Sequence, residues 1–173
     1  SHMTTRNTPH YDVIIAGARC AGAATALLLA RQGARVLVLD KSRYGTDTLS
    51  THALMRGAVL QLHRWGLLPA VAAAGTPPVR STTFHLADAV TTIPVKPKHG
   101  VQALYAPRRR VLDAILADAA RNAGADVRFG ASVSDLRRDR AGRVTGITGR
   151  AGGARLEASA DLVVGADGRR STV

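Results

Sequence analysis

The 173-residue chain carries 24 lysines and arginines against 12 acidic residues, a net charge of +12, and is 46% hydrophobic with only 3% aromatic residues. That apolar share supports a buried core. The absence of any run near the roughly 18 apolar residues of a membrane span, and of a secretory leader, predicts a soluble cytoplasmic protein with no membrane partner. A lone cysteine, Cys20, excludes an internal disulfide and a thiolate zinc cluster, and arginines scattered without interleaved aromatics, beside Lys41, Lys96 and Lys98, argue against a nucleic-acid partner despite the charge.

Ser1 to Met3 reads as the remnant of a cleaved tag and Thr4 to His10 as a polar lead, so the folded domain is expected over 11–173. Tyr11 to Ala16 is a short, β-branched apolar run, the pattern of a parallel strand covered on both faces. A turn from Gly17 to Gly22 leads into an alanine- and leucine-rich helix, Ala23 to Arg31, with Gly33 placed to cap it in a left-handed conformation. Arg35 to Leu39 follows as a second buried strand, completing a βαβ unit of about 30 residues.

After a polar stretch through Ser50, the pattern from Thr51 to Trp65 predicts a helix with Leu54, Met55, Ala58, Leu62 and Trp65 near one face, closed by Gly66. The threonine-rich segment Val79 to Val95 predicts an antiparallel pair, a small β appendage around residues 79–98, with Pro94, Pro97 and Gly100 marking the return. Val111, Leu112, Ile115, Leu116 and Ala119 make Arg108 to Ala123 an amphipathic helix ending at Gly124, and Asp126 to Phe129 is a further strand. From Ala131 to Ala160, three strand-like runs are separated by Ala141-Gly142 and by Ala151-Gly152-Gly153, as in a meander. Asp161 to Ala166 is then a last apolar strand, turned by Asp167 and Gly168. The expected fold class is α/β, a parallel sheet carrying an antiparallel β-meander as a third layer.

Gly17-Ala18-Arg19-Cys20-Ala21-Gly22 stands where G-x-G-x-x-G would, after a strand and at the start of a helix. The first glycine permits a tight turn, the last permits close packing of helix on strand, and the helix amides with their dipole face a pyrophosphate. Arg19 replaces the middle glycine, adding a Cβ but also a guanidinium able to pair with a phosphate oxygen. Asp40 lies 23 positions beyond Gly17, at the end of the second strand, where a carboxylate accepts hydrogen bonds from ribose hydroxyls.

These features, with Arg108-Arg109-Arg110-Val111-Leu112-Asp113 and Val164-Gly165-Ala166-Asp167-Gly168-Arg169-Arg170-Ser171-Thr172-Val173, resemble the FAD-dependent aromatic hydroxylases of the p-hydroxybenzoate hydroxylase type. Related geranylgeranyl-reductase-like flavoproteins share much of the pattern. The resemblance covers 11–173 and implies a Rossmann-like three-layer FAD/NAD(P)-binding domain, incomplete at its far end. It implies FAD held by Gly17, Ala18, Arg19, Cys20, Ala21 and Gly22, with Asp40 and Lys41 beyond the second strand. Arg109, three residues before Leu112, matches the arginine that reaches the pyrophosphate, with Arg108 as the nearby competitor. Val133 matches a backbone contact to adenine, and Asp167-Gly168 a motif organising both FAD and the reduced nicotinamide.

By that resemblance the whole enzyme takes electrons from NADH or NADPH into FAD and hydroxylates an aromatic or polyketide-like small molecule with dioxygen. No residue here is assigned as a catalytic acid or base. Cys20 reads as a small residue of the turn, and His52, in Ser50-Thr51-His52, receives no catalytic role. The family's later Gly-Asp motif and substrate-covering sheet are absent from the sequence, which predicts a fragment whose missing C-terminal part is its natural partner. The alternatives are an isoprenoid reductase or halogenase on the same scaffold, an NAD-dependent dehydrogenase, and a cofactor-free module of the same shape.

Overall fold

In chain order the elements are β1 (His10–Ala16), α1 (Cys20–Arg31), β2 (Val36–Asp40), α2 (Arg56–Arg64), α3 (Leu68–Ala73), β3 (Pro78–Val79), β4 (Ser81–Leu86), β5 (Ala89–Pro94), β6 (Leu104–Tyr105), α4 (Arg109–Asn122), β7 (Asp126–Phe129), β8 (Ala131–Arg138), β9 (Val144–Ala151) and β10 (Ala154–Gly165). They belong to a computed structural model that describes residues 7–44, 56–74, 78–86, 88–94, 104–105, 107–168 and 172–173. The chain divides into a unit built from Ser1–Thr46 and Leu116–Val173 and a second built from Asp47–Ile115. No helix among the described residues is long and apolar enough to cross a membrane.

The first unit is organised by one six-stranded sheet in the order β7-β2-β1-β10-β9-β8. Pairings of β7 with β2, β2 with β1 and β1 with β10 are parallel, while β10 with β9 and β9 with β8 are antiparallel. Although β7 and β8 lie at opposite ends of this order, only Gly130 separates them in sequence, so the sheet folds back on itself. Tyr11, Ile14, Leu37 and Leu39 of the parallel strands thereby share a core with Ala131, Ile147, Ala158 and Ala160 of the antiparallel ones. Val36 and Val38, alternating with the two leucines, point to the other face, where α1 packs on β1 and β2 and buries Ala23, Ala26, Leu27 and Ala30. The mixed α/β architecture with a meander as a third layer is therefore present.

Three details differ from the sequence reading. The strand expected at Arg35 to Leu39 runs one residue later, because Asp40 continues the parallel ladder opposite Phe129. The third meander run and the strand expected at Asp161 to Ala166 are one twelve-residue strand, β10. It exchanges partners at Ser159, antiparallel to β9 before and parallel to β1 after, and nothing between Ala154 and Val164 is a glycine or proline that would break it. Helix α1 begins at Cys20, so Gly22 lies in its first turn. Gly33 does cap that helix: at φ +86° its N–H reaches Ala30 C=O at 3.0 Å while Ala34 N–H reaches Leu29 C=O at 3.1 Å, the two bonds of a Schellman motif.

In the second unit α2 contacts α3 and β6, β3 pairs with β6, and β4 pairs with β5 in register from Ser81↔Pro94 to Leu86↔Ala89. The antiparallel pair expected within Val79 to Val95 is thus this ribbon, and every residue of β5 is exposed. On α2 the buried side chains are Val59 and Leu62, whereas Ala58 is exposed. A valine one position along hides more apolar surface than alanine. Leu54, Met55, Pro97 and Gly100 lie outside the described residues.

At the amino ends of the parallel strands, Arg128 pairs with Asp126 at 2.7 Å and the Tyr11 hydroxyl donates to Asp126 at 3.0 Å. The Arg35 guanidinium sits 5.8 Å from the Tyr11 ring centroid. The Arg128 bonds hold the Asp126 carboxyl below its ordinary range against a smaller opposing effect of burial. Burial, then the bond to Asp126, raises the Tyr11 hydroxyl above its own.

Candidate functional site

At the opposite, carboxyl ends of β1, β2 and β10 the chain makes its closest backbone approaches. Gly17 N–H donates to Leu39 C=O at 2.7 Å and Ala166 N–H to Ala16 C=O at 2.8 Å, so the turn after β1 is strapped to both neighbouring strands. Gly17 has φ +114°, and a Cβ there would stand 2.8 Å from the Ala166 carbonyl carbon and 2.9 Å from the Asp167 nitrogen. A Cβ on Gly22 would fall 1.8 Å from the Gly17 oxygen. Both glycines of the motif are therefore required, one by conformation and contact, the other by contact alone.

The middle position is different. Arg19 is the N-cap of α1 at φ −80° and ψ −174°, an extended backbone that any residue adopts, so this turn has no need of glycine there. Its side chain caps nothing, no acidic residue occupies the first turn, and Ala23 N–H, bonded to Arg19 C=O at 2.8 Å, makes the first regular helix bond. A helix start lacking both a polar cap and a first-turn acid offers its dipole and leading amides to an outside anion.

Asp40, 7% exposed, is the buried charged residue of this region. Its Oδ2 accepts Ala18 N–H at 2.8 Å; Oδ1 accepts Ser42 N–H at 2.8 Å and also the Ser42 hydroxyl. The carboxylate thus ties the phosphate turn to the end of β2, an additional duty beyond the ribose contact expected of it. Ser42 C=O in turn accepts Gly130 N–H at 2.9 Å, joining the same network to the β7–β8 corner. Ser42 was not singled out by sequence, although Asp-x-Ser is the signature of a side chain bonding the backbone two residues on. Ala166, which sets the distance between β10 and the glycine turn, was missed as well; a small residue before Asp-Gly was the available signal.

The structure therefore assembles Gly17, Ala18, Arg19, Cys20, Ala21, Gly22, Asp40 and Lys41 with the start of the Asp167-Gly168 turn. Asp167 and Gly168 are exposed, Gly168 at φ +85°, and Lys41 is exposed beside buried Asp40. Val133 lies in β8, packed on the shared core opposite Gly149, immediately before a bulge in the β8–β9 ladder. Gly149 is needed there, since a Cβ would meet the Ser132 oxygen at 2.1 Å. Arg109 belongs to the second unit; it pairs with Asp113 of its own helix at 3.7 Å, and its Nε is a buried donor without a hydrogen-bond partner among the described residues. Ser50, Thr51, His52 and Arg169 to Ser171 lie outside the described residues.

A parallel βαβ unit, a glycine turn opening a helix and an acid ending the next strand define a dinucleotide-binding α/β domain. The chain belongs to the FAD binding domain family, whose model matches residues 10–173. It is 28% identical over 183 residues to aklavinone 12-hydroxylase DnrF of Streptomyces peucetius subsp. caesius, covering 95% of this chain and 37% of that protein. The chain thus spans little more than a third of the curated relatives it matches. Among solved structures, the myxobacterial chondrochloren halogenase CndH superposes with a TM-score of 0.81 at 25% identity, over 94% of this chain and 38% of that one. The anhydrotetracycline hydroxylase OxyS from Streptomyces rimosus does so with a TM-score of 0.74 at 26% identity, over 95% and 33%.

The residues present fit FAD. A Cβ has no room at Gly17 or Gly22, the Arg19 side chain makes no cap to α1, and among the described residues Asp40 Oδ2 accepts a single bond, from Ala18 N–H.

Proposed function

We propose that the protein is the FAD-binding portion of an NAD(P)H-dependent flavin monooxygenase that hydroxylates an aromatic or polyketide-like small molecule. The observation that carries the binding role is the uncapped start of α1, held by backbone contact against Gly17 and backed by Arg19. The hydroxylating activity is supported by the likeness to the two hydroxylases above, at 28% and 26% identity.

In this reading the turn from Gly17 to Gly22, with the Arg19 guanidinium, holds the pyrophosphate, and Asp40 orients the adenosine ribose, with Lys41 beside it. Arg109 is retained as a phosphate ligand on its chemistry, a cation near a helix start with an unmatched buried donor. Val133 is assigned a backbone contact to adenine, and Asp167-Gly168 the region where FAD and nicotinamide meet. The bound cofactor supplies the electron transfer and oxygen activation; the chain's own groups supply placement and fixed dipoles. A small molecule is the partner, NADH or NADPH the electron source, and the cytoplasm the compartment.

The test is to load the whole protein with FAD, follow NADH and NADPH oxidation, and identify products from aromatic polyketide substrates. Oxygen-dependent hydroxylation supports the reading, and failure to bind FAD overturns it. A halogenase is the second reading, favoured by the superposition on CndH; incorporation of chloride or bromide in the same assay would replace the first.

A further inference from the structure

We infer that Ser42 is a second ribose-recognising residue, its Oγ accepting the hydroxyl that Asp40 has no room to accept. The inference rests on the FAD reading above and deepens it.

A carboxylate offers about four acceptor positions. Three of Asp40's are filled from within the protein: Ala18 N–H on Oδ2, Ser42 N–H and the Ser42 hydroxyl on Oδ1. Among the described residues one position, on Oδ2, is left. The adenosine ribose brings two adjacent hydroxyl donors, and a donor buried without an acceptor weakens binding. The second hydroxyl therefore needs another oxygen close to the first.

Ser42 is built to supply it. Its N–H and its hydroxyl proton are both directed to Asp40 Oδ1, and its C=O accepts Gly130 N–H at 2.9 Å. What the residue has left is the pair of lone pairs on Oγ. Because that hydroxyl's proton is held on the carboxylate, Oγ is left as an acceptor only, which suits a hydroxyl donor. Ser42 is partly open to solvent whereas Asp40 is 7% exposed, so a ligand that reaches Asp40 also reaches Ser42. The diol is thus read by two acceptors, Asp40 Oδ2 and Ser42 Oγ, held to each other because the Ser42 hydroxyl donates to the other carboxylate oxygen, Oδ1.

The test uses the whole protein and measures affinity by flavin fluorescence for FAD and for its analogues lacking the adenosine 2′- or 3′-hydroxyl. Native protein is expected to lose about three- to tenfold for each analogue. In Ser42→Ala, FAD affinity falls by about the same factor, one analogue now binds as well as FAD itself, and the other keeps its penalty. Ser42→Thr, which retains the hydroxyl, restores both the affinity and the two-analogue pattern. Thermal unfolding without ligand reports any purely structural loss in Ser42→Ala. A variant that lost affinity equally for all three ligands, or lost none, would overturn the inference while leaving the FAD reading intact. Native protein that binds no FAD would overturn both.

Discussion

Replacing Gly22 with alanine places a methyl group 1.8 Å from the Gly17 carbonyl oxygen and 3.3 Å from the Ala166 methyl. Restoring the tightest contact to 3.0 Å requires an opening of 1.2 Å, the difference between 3.0 and 1.8. No side chain can rotate to provide it, because the obstacle is backbone that Leu39 C=O and Ala16 C=O hold in place through bonds of 2.7 and 2.8 Å to the turn and to Ala166. Overpacking of this kind costs about 1–3 kcal/mol, and rigid backbone on both sides sets the expectation near the top of that range. A retreat of α1 by this distance takes a phosphate hydrogen bond of roughly 2.9 Å beyond reach, so FAD affinity should fall by about 30-fold or more. Gly33→Ala is the control. It also has a positive φ, +86°, but nothing lies within 4 Å of its added Cβ, so it should cost about 1 kcal/mol with FAD affinity unchanged. Urea unfolding followed by circular dichroism gives the first quantity and flavin fluorescence titration the second. If Gly22→Ala proves no less stable than Gly33→Ala and binds FAD as the parent does, the close-contact argument for the phosphate turn is wrong.

Asp40→Ala removes the acceptor of Ala18 N–H, Ser42 N–H and the Ser42 hydroxyl together, and is expected to cost about 3 kcal/mol in urea unfolding; a cost below 1 kcal/mol would contradict the bridging role. Asp126 titrates below its ordinary value of 3.8 because of Arg128, so its stabilisation is fully present above that pH and declines as the pH falls through the folded value, where both forms become protonated. Asp126→Asn should lower stability modestly at pH 7, the pair being half-exposed, and should flatten the dependence of stability on pH below about 3.8; an unaltered acid limb would refute this. Ile147→Ala empties a fully buried position where the antiparallel strands meet the parallel sheet, and calorimetry should record a loss of about 2–5 kcal/mol, a loss under 1 kcal/mol indicating that the two layers do not share a core.

The parallel strands and α1 were legible because their apolar runs and glycine punctuation are local. Val13 to Ala16 and Leu37 to Leu39 need both faces covered, and Gly33 ends a helix wherever it stands in this pattern. The continuity of β10 was not legible, since Leu156, Ala158 and Ala160 alternate like a half-exposed strand while Leu162 to Val164 run together like a buried one. That change of rhythm reports a change of partner, and only the pairing of Ser159 with both β9 and β1 reveals it. At the site, the need for Gly17 and Gly22 was visible from motif spacing, whereas the harmlessness of Arg19 was not, because it depends on the φ the third position takes. The internal bonds of Asp40 were hidden for a similar reason: a carboxylate's capacity is shared among neighbours that sequence places far apart, such as Ala18.

The pairing of residue 14 with residue 163 in the middle of the sheet has a consequence for biogenesis. As the ribosome releases the chain, β1 can gain β2 early, but its other flank waits until β10 has been translated, roughly ten seconds later at ordinary elongation rates. Throughout that interval Val13, Ile14 and Ile15 offer an open apolar border of the kind that recruits stray strands. Chaperone protection of the nascent polypeptide, and any aggregation when translation stalls, should accordingly concentrate on β1.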